Sequence, residues 1–363
     1  MVLAGGGTAG HTSPLIATAR ELELLDPEVV LTAVGTARGL ETTVVPAAGL
    51  RLRLISPVPL PRTPGLELAR VPQRLWRSIS EAASILRDVQ ADVVLGFGGY
   101  VSTPVYLAAR RLRIPIVIHE QNALPGLANR VAARFTSSVF VSFPQTPLPH
   151  ATCIGLPLRR SIVELDRAER RAAARAGFGL DPALPTLLVS GGSQGAMSIN
   201  QAVSGAWPEL TARGIQVLHV LGPKNLTEST VAGRDAETGA VYQPLAFVER
   251  MEDAYAAADL MLGRCGASTV LETAAVGLPA VFVPYPHGNG EQGRNAAVVV
   301  QAGAAELLAD ADVTVDWALR RLPELILDPE RLQGMSAAMS GVANRDAATR
   351  LARETLTTAA RRR

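Results

Sequence analysis

The stretch Val2-Leu3-Ala4-Gly5-Gly6-Gly7-Thr8-Ala9-Gly10-His11 decides how the chain is read. A short apolar run passes straight into glycines, and Thr12, Ser13 and Pro14 follow as good helix starters, so the segment predicts a buried strand, a tight turn and a helix. Glycines in such a turn let backbone N–H groups approach an anion, and the helix N-terminus adds a favourable dipole. Gly5, Gly7 and Gly10 satisfy the GxGxxG spacing of dinucleotide-binding folds. A dinucleotide also needs an acidic residue closing the second strand, and that strand runs into Val34-Gly35-Thr36-Ala37-Arg38 without one. This disfavours a nicotinamide or flavin oxidoreductase.

Working outward, β-branched or leucine-rich runs recur at 29–34, 52–55, 93–95, 116–118 and 139–141, separated by amphipathic helical lengths. The pattern restarts at 186–189, 215–221, 240–242, 260–262, 280–283 and 306–308. Alternation of this kind is the signature of buried parallel strands joined by helices. The expected fold class is α/β, with two Rossmann-like, doubly wound domains of about six strands each, facing across a cleft beyond the strands' carboxyl ends. Prolines at 144, 147, 149 and 157 mark an expected linker, with a hinge near 155–165. From 313 onward the pattern is helical, broken at Pro329 and near Gly341, so three helices are expected to close the chain. The expected divisions are 1–158, 159–342 and a terminal segment 343–363 that returns to the first domain to bury its apolar face.

Composition agrees with a large buried interior. Of 363 residues, 48% are hydrophobic and 19% charged, which excludes a disordered or collagen-like chain. The net charge of +2 is too slight to argue for a nucleic-acid partner. The 2 cysteines are far apart and suggest neither a zinc site nor a disulfide framework. The start lacks the basic segment of a signal peptide, and no run reaches the roughly 18–20 apolar residues of a membrane helix.

Further turns repeat the opening one. Gly191-Gly192-Ser193-Gln194-Gly195-Ala196 follows a strand in the second half, and Arg264-Cys265-Gly266-Ala267-Ser268-Thr269-Val270-Leu271-Glu272 is another strand end turning into a helix, with Ser268 and Thr269 as expected caps. No Gly-Lys-Ser/Thr occurs, which excludes a Walker A loop. Glu272, about one turn into its helix, could accept hydrogen bonds from ribose hydroxyls. Gln292 and Asn295 share a helix face at i, i+3, and amides at that spacing suit sugar hydroxyls. Gly98-Gly99-Tyr100-Val101-Ser102 and His119-Glu120-Gln121-Asn122 are polar where loops would line a ligand site. Asp310-Ala311-Asp312 reads as a solvated turn. The stretch 66–86 interleaves Leu68, Val71, Leu75, Trp76 and Ile79 with Arg70, Arg74 and Arg77, which suits either an anionic lipid surface or an ordinary core-facing helix.

Together, GGGTAGH at 5–11, VVLGFGGYVS at 93–102, HEQN at 119–122, GGSQGA at 191–196 and GASTVLETAAVGLPAVFVPYPH at 266–287 resemble the MurG family, glycosyltransferases that make lipid II in peptidoglycan synthesis. The resemblance covers nearly the whole chain and implies the GT-B architecture. It implies an inverting enzyme that moves N-acetylglucosamine from UDP-N-acetylglucosamine to the C4 hydroxyl of the muramoyl sugar of lipid I, working peripherally at the cytoplasmic face of the membrane against anionic lipids. No cofactor is implied and no metal ligand is assigned. Donor contacts carry over to Thr8, Ala9, Gly10, Asn122, Arg159, Ser193, Val248, Ala267, Ser268, Thr269, Val270, Leu271, Glu272 and Gln292, with Asn295 beside it. His11 is the first candidate for the general base and Glu120 the second. The chain departs from the family's GTGGH at Ala9 and from its GNP-x-R at Leu156. Another UDP-sugar enzyme of the same shape, such as an epimerase, is the alternative.

Overall fold

Short apolar runs set between helices become strands, most of them buried on both faces. The computed structural model describes residues 1–58, 70–192, 196–227 and 230–362, in two units: Met1–Arg159 with Asn344–Arg363, and Arg160–Ala343.

In the first unit the strands are β1 (Val2–Ala4), β2 (Thr32–Gly35), β3 (Arg51–Leu54), β4 (Val94–Gly96), β5 (Ile116–Glu120), β6 (Val139–Val141) and β7 (Ala151–Cys153). They form one parallel sheet in the order β3-β2-β1-β4-β5-β6-β7. In the second unit, β8 (Thr186–Ser190), β9 (Gln216–Val220), β10 (Gly233–Arg234), β11 (Val241–Leu245), β12 (Leu260–Gly263), β13 (Ala280–Phe282) and β14 (Ala305–Leu307) run in the order β10-β11-β9-β8-β12-β13-β14, parallel except for β10. The order reverses between β1 and β4 and between β8 and β12, and such switch points open a crevice at the strands' carboxyl ends. Among the described residues each sheet thus has seven strands rather than about six. The segment expected to be a linker contains β7, its prolines falling on either side of the strand. β10 escapes the hydropathy pattern because it is two residues long and pairs at an edge.

The helices of the first unit are α1 (Ala9–Leu25), α2 (Glu41–Ala47), α3 (Val71–Asp88), α4 (Ser102–Arg111) and α5 (Leu127–Ala132). Those of the second are α6 (Arg160–Val163), α7 (Arg167–Gly177), α8 (Met197–Ala212), α9 (Met251–Ala257), α10 (Ala267–Val276), α11 (Glu291–Gln301), α12 (Val315–Ile326) and α13 (Pro329–Val342). The last helix, α14 (Ala347–Ala360), belongs to the first unit, where Leu351, Ala352 and Ala359 join the core formed by Leu15, Ala19 and Leu22. Thr349 Oγ1 donates to Glu21 at 2.8 Å, fixing the helix against α1. Two helix starts differ from expectation. α1 begins at Ala9, inside the glycine turn, and α10 is capped by Gly266, so Ser268 and Thr269 lie within its first turn.

α3 buries Ser78, Ala82, Ala83, Ile85 and Leu86, so its C-terminal half is a core-facing helix. Trp76 points the other way and is 66% exposed. Leu66 and Leu68 lie outside the described residues.

Candidate functional site

At the β1–β4 switch point two glycine turns meet. A Cβ added at Gly99 would lie 2.7 Å from the Gly6 carbonyl oxygen, so only glycine lets the turns approach. Ser102 Oγ, at the start of α4, lies 2.9 Å from the Ala4 carbonyl oxygen and 2.7 Å from that of Gly98 and shares its one proton between the two strand ends. His11 lies in the first turn of α1 and its Nδ1 is 3.0 Å from Thr8 Oγ1. When Nδ1 carries the proton it donates to Thr8, and Nε2 is left as a base. Burial lowers the His11 pKa from its ordinary 6.5, and the Glu41 charge partly opposes the shift, so the ring is neutral at pH 7.

The first glycine turn already holds an anion of its own. Glu41, 0% exposed, accepts the Gly7 N–H at 2.9 Å, the Thr36 N–H at 2.9 Å and the Thr36 hydroxyl at 3.1 Å. The sequence reading expected this turn to face a ligand anion and found no carboxylate at the end of β2; the carboxylate stands five residues beyond Thr36.

Glu120 ends β5 and is buried. Its oxygens accept the N–H groups of Asn122 (3.0 Å) and Gly126 (3.0 Å) and the Asn129 side-chain amide (2.9 Å). Burial raises its pKa, an effect that these donors oppose. Three donors on one carboxylate make Glu120 the anchor of the 120–126 loop, a correction to its place as second candidate base. His119 is also structural, with Nε2 2.9 Å from the Gly155 carbonyl oxygen. Asn122 is half-buried on the anchored loop. Thr8 and Ala9 are exposed and Gly10 half-buried at the start of α1, while Arg159 is exposed where the first unit's leading segment ends.

In the second unit the β12 end carries the richest site. Arg264 forms an ion pair with Asp310 at 2.5 Å, donates to the carbonyls of Val283 (3.3 Å) and Pro284 (3.0 Å), and reaches Ser198 Oγ at 3.4 Å. Asp310 also accepts from Ser198 at 2.6 Å, so it is part of a built network and not the solvated turn the sequence suggested. The network ties the loops after β12 and β13 to the first turn of α8. Burial pushes the Cys265 thiol up to about 12, which makes it inert. From Gly266, α10 presents the amides of Ala267, Ser268 and Thr269, with Val270 and Leu271 buried behind them. Glu272 follows, and its Oε2 accepts from the Tyr255 hydroxyl at 2.8 Å.

Gln292 Oε1 accepts the Tyr285 N–H at 3.0 Å, fixing the loop after β13. Asn295 was expected beside Gln292 for sugar hydroxyls; it is 0% exposed, with Nδ2 3.4 Å from the Cys265 carbonyl, so it supports the 264–266 turn instead. Val248 is buried, whereas Phe247 beside it is 70% exposed. Sequence reasoning missed Tyr255 and Glu41, whose contacts lie on other elements. Ser193 lies outside the described residues. Among the described residues, no group of three or more His, Cys, Asp or Glu side chains is placed to hold a metal ion.

Residues 1–141 match the glycosyltransferase family 28 N-terminal domain, and residues 186–351 match the glycosyltransferase family 28 C-terminal domain. A protein of Nocardioides sp. named UDP-N-acetylglucosamine--N-acetylmuramyl-(pentapeptide) pyrophosphoryl-undecaprenol N-acetylglucosamine transferase is 56% identical over 353 residues, covering 97% of this chain and 96% of that protein. A protein of the same name from Cutibacterium acnes is 55% identical over 358 residues, covering 97% of this chain and 95% of that one. Among solved structures, Acinetobacter baumannii MurG superposes with a TM-score of 0.78 at 27% identity, covering 98% of this chain and 99% of that chain.

Proposed function

Because the chain belongs to glycosyltransferase family 28, we propose that the sites at its strand ends serve one sugar transfer. The chain moves N-acetylglucosamine from UDP-N-acetylglucosamine to lipid I, forming lipid II. The observation that carries this reading is identity above one half, along nearly the whole chain, with relatives whose names state the reaction.

The finer assignments rest on the site's chemistry. The second unit takes the donor: the amides at the start of α10 meet the diphosphate, Glu272 the ribose, Val248 the uracil side and Gln292 the sugar. Ser193, Arg159, Thr8, Ala9, Gly10 and Asn122 are further substrate contacts, and the first unit takes the acceptor. In a single in-line displacement, the C4 hydroxyl oxygen of the muramoyl sugar bonds to the anomeric carbon. The bond from that carbon to the β-phosphate oxygen breaks, and its electron pair leaves on UDP. The hydroxyl proton passes to His11 Nε2, and the anomeric configuration inverts. Backbone donors aimed at the growing phosphate charge contribute about 2.7–4 kcal/mol each, and the base about 10²–10⁴ in rate.

The acceptor's lipid places the protein peripherally on the cytoplasmic membrane face, against anionic lipids. No helix among the described residues is long and apolar enough to cross a membrane. Support for a surface contact comes from a concavity of about 530 Å³ at the start of β5, lined by Arg110, Arg113, Arg134 and His150. Arg110 stacks over Phe135 at 4.8 Å, leaving a basic surface with an apolar floor.

The test is transfer of radiolabelled N-acetylglucosamine from its UDP donor to a short-chain lipid I analogue, with other UDP-sugars and a chelator as controls. Labelled lipid II is expected. Lipid-independent conversion of UDP-N-acetylglucosamine would instead establish an epimerase and overturn the reading. A dinucleotide enzyme has no support in the first turn, where Glu41 stands on the Gly7 amide.

A further inference from the structure

We infer that Glu41 is a positioning residue for the transfer: its carboxylate is the built-in anion of the first glycine turn and holds that turn, with His11 on it, in place. The inference rests on the reading of His11 as the base.

Three separate segments make room for this one carboxylate. A Cβ added at Gly6 would lie 2.6 Å from Glu41 Oε1, one at Gly35 2.4 Å from its Cγ, and one at Gly39 1.8 Å from its Oε2. Glycines in β1's turn, at the end of β2 and before α2 are therefore a cage shaped to the Glu41 side chain. Inside it, the carboxylate meets one amide from the His11 turn and both the amide and hydroxyl of Thr36. Hydrogen bonds to an ionised acceptor are roughly twice as strong as neutral ones, so the carboxylate is a strong clamp between the β1 and β2 ends. Thr36 Oγ1 passes the network on to the Tyr100 hydroxyl at 3.1 Å, and the Tyr100 ring packs on the turn, with Cε1 3.0 Å from where a Gly7 Cβ would be.

The Glu41 charge also acts on His11 through space. Among the described residues the charged group that acts on this histidine is Glu41, from α2, and it raises the ring's pKa against the lowering by burial. Because the Gly7 amide is committed inside the protein, its part in the turn is geometric, and the substrate contacts of the turn fall to Thr8, Ala9 and Gly10.

The experiment compares full-length Glu41→Gln, Glu41→Asp, Thr36→Val and His11→Ala for kcat, donor KM, the pH profile of kcat and thermal unfolding. In Glu41→Gln, kcat is expected to fall about 10- to 100-fold, the loss typical of a slightly misplaced catalytic group, with donor KM unchanged. Its acid limb moves to lower pH, because removing a negative charge lowers the His11 pKa. Glu41→Asp keeps the charge, so its acid limb stays at the wild-type pH and part of kcat returns. Should the Gln protein fail to fold, Thr36→Val, which removes one donor and keeps the charge, is expected to lower kcat at constant donor KM. Wild-type kcat in the Glu41 and Thr36 variants, or a rate loss that only follows thermal stability with the acid limb unmoved, overturns the positioning role. Wild-type turnover in His11→Ala overturns the base reading itself and is read independently of Glu41.

Discussion

Tyr255 and Glu272 show how one hydroxyl orients the carboxylate proposed for ribose. The Tyr255 ring is buried and its hydroxyl fixes one Glu272 oxygen, so on the proposed reading the carboxylate is already oriented for ribose. Tyr255→Phe removes that bond without altering the ring. Such a hydrogen bond is worth about 0.5–1.5 kcal/mol net, so donor KM should rise about 2- to 12-fold with kcat unchanged, as read by steady-state kinetics. The variant should also discriminate less between the donor and its 2′-deoxyribose analogue; unchanged discrimination would remove Glu272 from ribose recognition. The place of Glu272 one turn into a helix was legible in the sequence because that helix directly follows a strand and a glycine. Tyr255 and Glu41 were not, because what defines them is a partner on another element. Asn295 misled for the opposite reason: helical spacing places an amide on a face without revealing that the face is inward.

Elements followed the hydropathy pattern wherever apolar runs were buried between helices, and all six runs of the first half became strands of its sheet. The pattern failed at β7, whose Ala151, Thr152 and Cys153 are an exposed edge with little apolar content. It also left α3 undecided, because both faces carry apolar residues. The outcome is split: Ile85 and Leu86 enter the core, while Trp76 faces out. If Trp76 meets lipid, the double change Leu75→Glu with Trp76→Glu should weaken sedimentation with vesicles of anionic lipid, and transfer to a water-soluble acceptor should be unaffected. Arg134→Glu at the basic concavity at the start of β5 should do the same more strongly at low salt. For α14 the expectation is energetic. Leu351→Ala opens a cavity in the core of the first unit and should cost about 2–5 kcal/mol, seen as a lower melting temperature for that unit.

At the scale of the molecule, each sheet encloses a histidine kept neutral by burial. The His119 pKa is lowered to about 4, and that of His219, between Tyr242 and Asn200, to about 3. The unfolded chain, with histidines near 6.5, takes up protons first as pH falls. The stability these groups allow is therefore intact above pH 6.5 and is lost as pH drops toward 4 and 3. By pH 5 the loss is on the order of 2 kcal/mol per histidine. Denaturant unfolding at pH 7.5 and 5 should show both units weakening, and His219→Gln should flatten the slope for the second unit alone.

The return of α14 to the first unit sets an order of events during synthesis. The ribosome delivers Leu351 and Ala352 only after every residue of Arg160–Ala343 has been made. At typical elongation rates that delay is on the order of ten seconds or more. Throughout it, the apolar side of α1 awaits its cover, a sticky intermediate that the nascent polypeptide must survive, and one for which a holding chaperone has an obvious substrate.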